Sequence, residues 1–171
     1  PGYYEQLNFP LRDYIPDRDE QQYRRGLYSH WQRTFLHPML ANFDAPSREE
    51  CVASRNDSTT PQQALTLLND PTFVEAARVL AESLLRLPVD ERLDAGFLRV
   101  LARPPEARER TSLEAFLTRQ RAAFRERPAD ARALTSVGFK PVPEAIDRVE
   151  LAAWTAVARA LLNLNETIVR Y

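Results

Sequence analysis

RNDSTTPQQALTLLNDPTFVEAA, from Arg55 to Ala77, contains two helix starts in succession. In the first, Thr60 is an N-cap residue and Pro61 occupies the first helical position, where its missing N–H is not needed. Gln63 stands where its side chain can return the capping bond. Ala64, Leu65, Leu67 and Leu68 then supply an apolar face. Asp70-Pro71 opens a second helix in the same way, with Phe73, Ala77, Leu80 and Leu84 at helical spacing. A proline inside a regular helix removes a hydrogen bond and clashes with the preceding turn. Pro71 therefore predicts two helices with a bend between them.

Upstream, residues 1–19 carry three prolines and no helical period. They read as an extended arm that lays Tyr3, Tyr4, Phe9 and Tyr14 on the domain or on an upstream partner. DEQQYRRGLYSHWQRTF, from Asp19, spaces Tyr23, Leu27 and Trp31 four apart, which predicts one helix face, ended or kinked by Pro38. MLANFDAP reads as a connector, and Ser47 with Glu50 has capping-box spacing. Downstream, Leu93, Phe97 and Leu101 mark one helix, and Leu113, Phe116, Leu117 and Phe124 mark another. A short helix after Pro128 is expected to end with Gly138 at the C′ position. PEAIDRVELAAWTAVARALLNLN is the clearest helix, with Leu151, Trp154, Ala158, Leu161 and Leu162 on one face. No stretch alternates as a strand would. The expected fold is all-α: an irregular bundle of six or seven helices forming a single helical domain over 1–171, with an extended arm at 1–19. The chain opens at Pro1 without a methionine, and reads as the C-terminal piece of a longer protein.

The 171 residues suffice for one domain with a core, and the 44% hydrophobic and 27% charged fractions are those of a globular protein. A net charge of -1 offers no field that would gather nucleic acid. No apolar run is long enough to span a membrane. The single Cys51 rules out an internal disulfide and any multi-cysteine metal site, and no metal is expected in this chain. Lys140 is the one lysine, so nearly all positive charge is arginine.

No nucleophile elbow, phosphate loop, zinc helix or calcium loop occurs. His30 and His37 are seven apart, and a haem-facing role for one of them is weighed against surface or capping roles. Arg24 and Arg25 precede Tyr28 and Trp31, which suits either a stacking surface or ion pairs within the fold. Ser58, Thr59 and Thr60 lead into a helix N-terminus that can favour an anion, with Arg55 adding charge. The competing reading makes them backbone caps, with Arg55 bracing Asp44 or Asp57. We expect Arg24, Arg25, Asp44, Arg55, Asn69 and Asp70 to form a polar network tying the first helix to the Thr60 turn, with Trp31, Thr60 and Gln63 beside it.

Several separated motifs keep a family's order: Arg24-Arg25, Tyr28, Trp31, Phe43-Asp44-Ala45-Pro46, Arg55, Thr60, Gln63-Ala64-Leu65 and Leu67-Leu68-Asn69-Asp70. Ala153-Trp154-Thr155 through Asn165-Glu166 continues the pattern. With these the chain resembles the C-terminal domain of unknown function of large secreted planctomycete proteins, which commonly carry a cytochrome c-like domain. The resemblance implies a helical fold and an extracytoplasmic setting. It also implies other domains of the same polypeptide as partners, a cytochrome c-like domain among them. Haem would belong to that separate domain, with no cofactor in this chain. It supplies no reaction. The leading expectation is a scaffold or interaction domain. The alternatives are part of an enzyme acting on an extracellular glycan or other polymer, and a haem-domain docking module.

Overall fold

The computed structural model describes residues 15, 17, 19–31, 36–47, 49, 51–54 and 58–169. Those residues form eight α-helices and two 3-10 turns, with no strand among them. The helices are α1 (Pro38–Asn42), α2 (Pro61–Asn69), α3 (Pro71–Leu85), α4 (Arg92–Leu101), α5 (Ala107–Glu126), α6 (Pro128–Thr135), α7 (Arg148–Leu162) and α8 (Asn165–Ile168). Apart from Ile15, Asp17 and Asp19, the expected arm lies outside the described residues, as do Glu50 and Arg55.

Helix α7 is the hub, packed against α3, α5 and α6. The expectation of a single apolar face understates it. Leu151, Trp154, Val157 and Leu161 are buried, and so are Ala152, Ala153, Thr155 and Ala158 on its other sides. A helix surrounded by neighbours must be apolar or small all round, and the alanines let α3 and α6 approach closely. Leu84 of α3, Phe97 of α4 and Leu117 of α5 complete the core around it. Asp147 caps α7 by accepting the Val149 N–H at 2.8 Å.

The bend at Pro71 forms as expected. Asp70, with φ -65 and ψ 130, ends α2 and caps α3 in one extended residue, accepting the Thr72 N–H at 2.9 Å. The helix expected from Asp19 does not form. Glu20–Tyr23 and Gly26–Tyr28 are separate 3-10 turns joined by extended Arg24 and Arg25. Gly26 interrupts the stretch, and its apolar stripe is left largely uncovered: Tyr23 is 51% exposed and Leu27 70%. Helices in proteins draw most of their stability from burying such a stripe. Pro38 likewise starts α1 instead of ending a helix. Helix α6 ends at Thr135 with Ser136 as its cap, so Gly138 lies beyond the C′ position, at φ 97.

A clasp at the far end holds α8. The Arg103 guanidinium bonds both oxygens of Glu109 at 2.8 Å and both of Glu166 at 2.7 and 2.8 Å. It also lies 5.6 Å from the Phe97 ring centroid. The Arg103 hydrogen bond, helped by the Glu106 N–H, pushes the Glu109 carboxyl down to about 2.

Because α7 carries the core, Leu151→Ala is expected to cost about 2–5 kcal/mol. Urea denaturation monitored by helical circular dichroism checks this, as a lower midpoint at unchanged slope.

Candidate functional site

The Thr60 turn is built as a closed joint. Thr60 and Gln63 form the reciprocal capping box. The Gln63 N–H donates to Thr60 Oγ1 at 3.2 Å, and the Thr60 N–H donates to Gln63 Oε1 at 2.9 Å. Gln63 is itself buried. Asp44, in the turn after α1, takes left-handed φ 56, a conformation an aspartate tolerates through local hydrogen bonds. Its carboxylate accepts the Ser58 N–H at 2.8 Å and the Ser58 hydroxyl. The Ser58 bonds hold the Asp44 carboxyl below the usual aspartate range. Asn42 of α1 donates to Thr66 Oγ1 at 2.7 Å, adding a second tie between α1 and α2.

The structure thus brings Asp44, Thr60 and Gln63 together, with Ser58 and Asn42 as partners that sequence reasoning passed over. It does not bring the other candidates there. Asn69 donates to Leu65 of its own helix, and Asp70 caps α3. Arg24 and Arg25 are exposed, and neither has an ion-pair partner among the described residues. The Arg24 guanidinium lies 5.9 Å from the Tyr28 ring centroid. Arg55 is outside the described residues. His30 is exposed, and His37 sits half-buried at the start of α1, where burial holds it below the ordinary histidine range. No group of three metal-ligating side chains assembles among the described residues.

Trp31 and Arg25 belong to a different feature. A groove of about 500 Å³ runs between the N-terminal segment and α1. Arg25, Gly26, Leu27 and Trp31 form one wall, and Leu40, Phe43, Ala45 and Pro46 form the other. The volume is that of an ordinary binding cleft. The Trp31 indole donates to the Gly26 carbonyl at 3.0 Å, which curls the segment upon itself. A second hollow, of about 330 Å³, lies between α4, α5 and α7 above Trp154. The rim cations Arg110 and Arg121 pair with Asp94 and Glu150.

What holds the groove's first wall is a buried ionic cluster that sequence reasoning missed. Glu75, Arg78 and Glu82 share one face of α3, and all three are buried. Arg78 bonds Glu82, Glu75 at 3.4 Å and the Lys140 carbonyl at 2.7 Å. Glu75 also accepts the Phe139 N–H at 3.2 Å, the Lys140 N–H, and the Tyr23 hydroxyl at 2.8 Å. Burial alone raises the Glu75 carboxyl. The Lys140, Tyr23 and Phe139 bonds and the Arg78 charge outweigh burial, so its pKa falls below the usual glutamate range. Burial and the bond to Glu75 raise the Tyr23 hydroxyl. Gly138 is required here twice over. Its φ is 97, and a Cβ there would clash with the Glu75 side chain, lying 2.7 Å from its Cβ. The signal in the sequence was charge at i, i+3 and i+7 beside Ala77 and Ala81, a charged stripe on the side where α3 packs tightly.

Fold and site together define an all-α module whose polar candidates mostly close joints, with an apolar groove on its N-terminal side. The chain belongs to the family PSD1, proteins of unknown function (DUF1553), whose model matches residues 3–117. No curated protein and no solved structure matches it. The matched span ends inside α5, while α7, which supplies the centre of the core, lies beyond it.

Two outcomes follow from the cluster. Tyr23→Phe leaves Glu75 its backbone donors and Arg78, so amide exchange should rise over Glu20–Tyr28 while Gly138–Lys140 stays protected; Glu75→Gln should expose both. Equal effects from the two variants would contradict the shared anchor. Arg78→Met, which leaves two buried carboxylates uncompensated, is expected to cost about 3–5 kcal/mol in urea unfolding. In acid, the folded-state pKa values of Asp44, Glu75 and Glu109 lie below their unfolded values. Their contribution is present above about pH 4–4.5 and is lost as pH falls through the lower folded values. Unfolding midpoints measured from pH 7 to pH 2 should fall across that range.

Proposed function

We propose that this chain is a non-catalytic interaction domain that docks onto other domains of a larger exported polypeptide, through the groove beside Trp31. The observation that carries this reading is the apolar-walled groove itself, with exposed Leu27 on its wall. Leu27 is 70% exposed, and Ile15, Tyr23, Tyr28 and Val52 are exposed in the same N-terminal part, while Leu65, Val89, Leu98, Phe139 and Leu164 are exposed elsewhere, outside the groove lining. Exposed apolar surface beside a cleft is characteristic of interfaces. The groove lining carries no carboxylate among the described residues, and Asp44 nearby is committed to Ser58. That lining suits docking better than acid–base attack on a glycan.

The resemblance to secreted planctomycete proteins supports an extracytoplasmic setting and a cytochrome c-like domain among the partners. Haem would then sit in that partner domain.

The test is binding in trans. The region upstream of this chain in the full-length protein, produced separately, should bind it with a Kd tighter than about 10 µM by calorimetry. Leu27→Ser, at an exposed position, should weaken binding without lowering thermal stability. No binding by the wild-type chain would reject the reading.

A further inference from the structure

Resting on that docking reading, we propose that the Trp31 groove receives an acidic segment, one carrying an apolar or aromatic side chain flanked by aspartate or glutamate. The groove walls are apolar: Leu27 and Trp31 face Leu40 and Phe43, with Ala45 and Pro46 at the edge. Its charged lining residue is Arg25. Arg24 stands beside it on extended backbone, where successive side chains point to opposite sides. Arg25 therefore lines the groove while Arg24 lies over Tyr28.

Elsewhere in the fold, five arginines at packed surfaces have carboxylate partners, while half-buried Arg159 bonds the Leu68 carbonyl instead. Arg78, Arg92, Arg103, Arg110 and Arg121 each face a carboxylate. Among the described residues, Arg24 and Arg25 have no such partner. Other exposed arginines also lack one, but these two adjoin an apolar cleft whose described lining holds no acid. Asp44, which lies between the lining residues Phe43 and Ala45 in sequence, has its oxygens on Ser58.

An acidic segment would meet Arg25 in the groove, with Arg24 on the neighbouring backbone position and no carboxylate among the described lining residues, while its apolar side chain covered Leu27 and Trp31. A basic segment would be repelled. Guanidinium suits this role, since its planar donors pair with carboxylates in a fork. The overall charge of -1 disfavours an oligonucleotide as the anionic occupant.

The direct test uses fluorescence anisotropy with two labelled peptides of equal length, both containing Phe and Leu. One is flanked by Glu and Asp, the other by Lys. The acidic peptide should bind about tenfold tighter or more, and the difference should shrink in high salt. The double variant Arg24→Glu/Arg25→Glu should reverse the preference, and Leu27→Ser should weaken the acidic peptide. Equal binding of both peptides, binding of neither, or full displacement of the acidic peptide by a single-stranded oligonucleotide at equal concentration would overturn the proposal. If the upstream region binds the double variant as tightly as wild type, docking stands and the acidic occupant is rejected. If the upstream region binds neither form, the docking reading fails.

Discussion

The carboxylate of Glu75 is the point on which three parts of the chain depend. It is buried on α3, yet it is bonded by Tyr23 from the N-terminal segment, by Phe139 and Lys140 from the loop after α6, and by Arg78 from its own helix. A buried charge is costly unless every lone pair finds a donor. Here the donors come from segments 52 and 65 residues away in sequence. The cost of burying the charge thus becomes a constraint on long-range structure: each segment supplies a donor to the same carboxylate. Arg78 extends the constraint to Glu82 and the Lys140 carbonyl, so the cluster fixes α3 against the loop that leads into α7.

Around that anchor the remaining forces are ordinary burial. Helix α7 lies at the centre with alanines where neighbours approach and larger side chains where space must be filled. The family-matched residues 3–117 contain α1 to α4 and half of α5, and their apolar faces close only when α7 is present. The structural unit is therefore larger than the matched span. At the N-terminal side the balance differs. The 3-10 turns contain no buried residue, and their described polar tie to the helical body is the Tyr23 hydroxyl. A segment with little burial is the part of a fold best placed to meet a partner.

How much of this was legible in the sequence depends on the range of the deciding interaction. Thr60, Gln63, Asp70 and Pro71 act within one helical turn, and their roles could be read directly. The stripes on α3, α4, α5 and α7 were readable for the same reason. Tyr23, Leu27 and Trp31 had helical spacing too, but spacing shows only that a face exists, not that anything lies against it. Asp44 was singled out with Arg55 or Arg24 in mind, and its contact is Ser58, a residue read only as a possible cap. Glu75 was invisible because its partners are backbone N–H groups brought in by a loop after another helix. Gly138 was noticed as a helix terminator, when the crowding against Glu75 is what demands it.

The docking account inherits the same logic: the groove exists because one wall is pinned to Glu75 and the other to the Asp44–Ser58 joint. Its central claim is that Glu75 is ionised and held by donors from three segments. Carboxyl-labelled glutamate observed by NMR through a pH titration reads this group directly. The account predicts a Glu75 pKa below the ordinary glutamate value, moving upward in Tyr23→Phe. A value at or above the ordinary one, unmoved by that substitution, would contradict it.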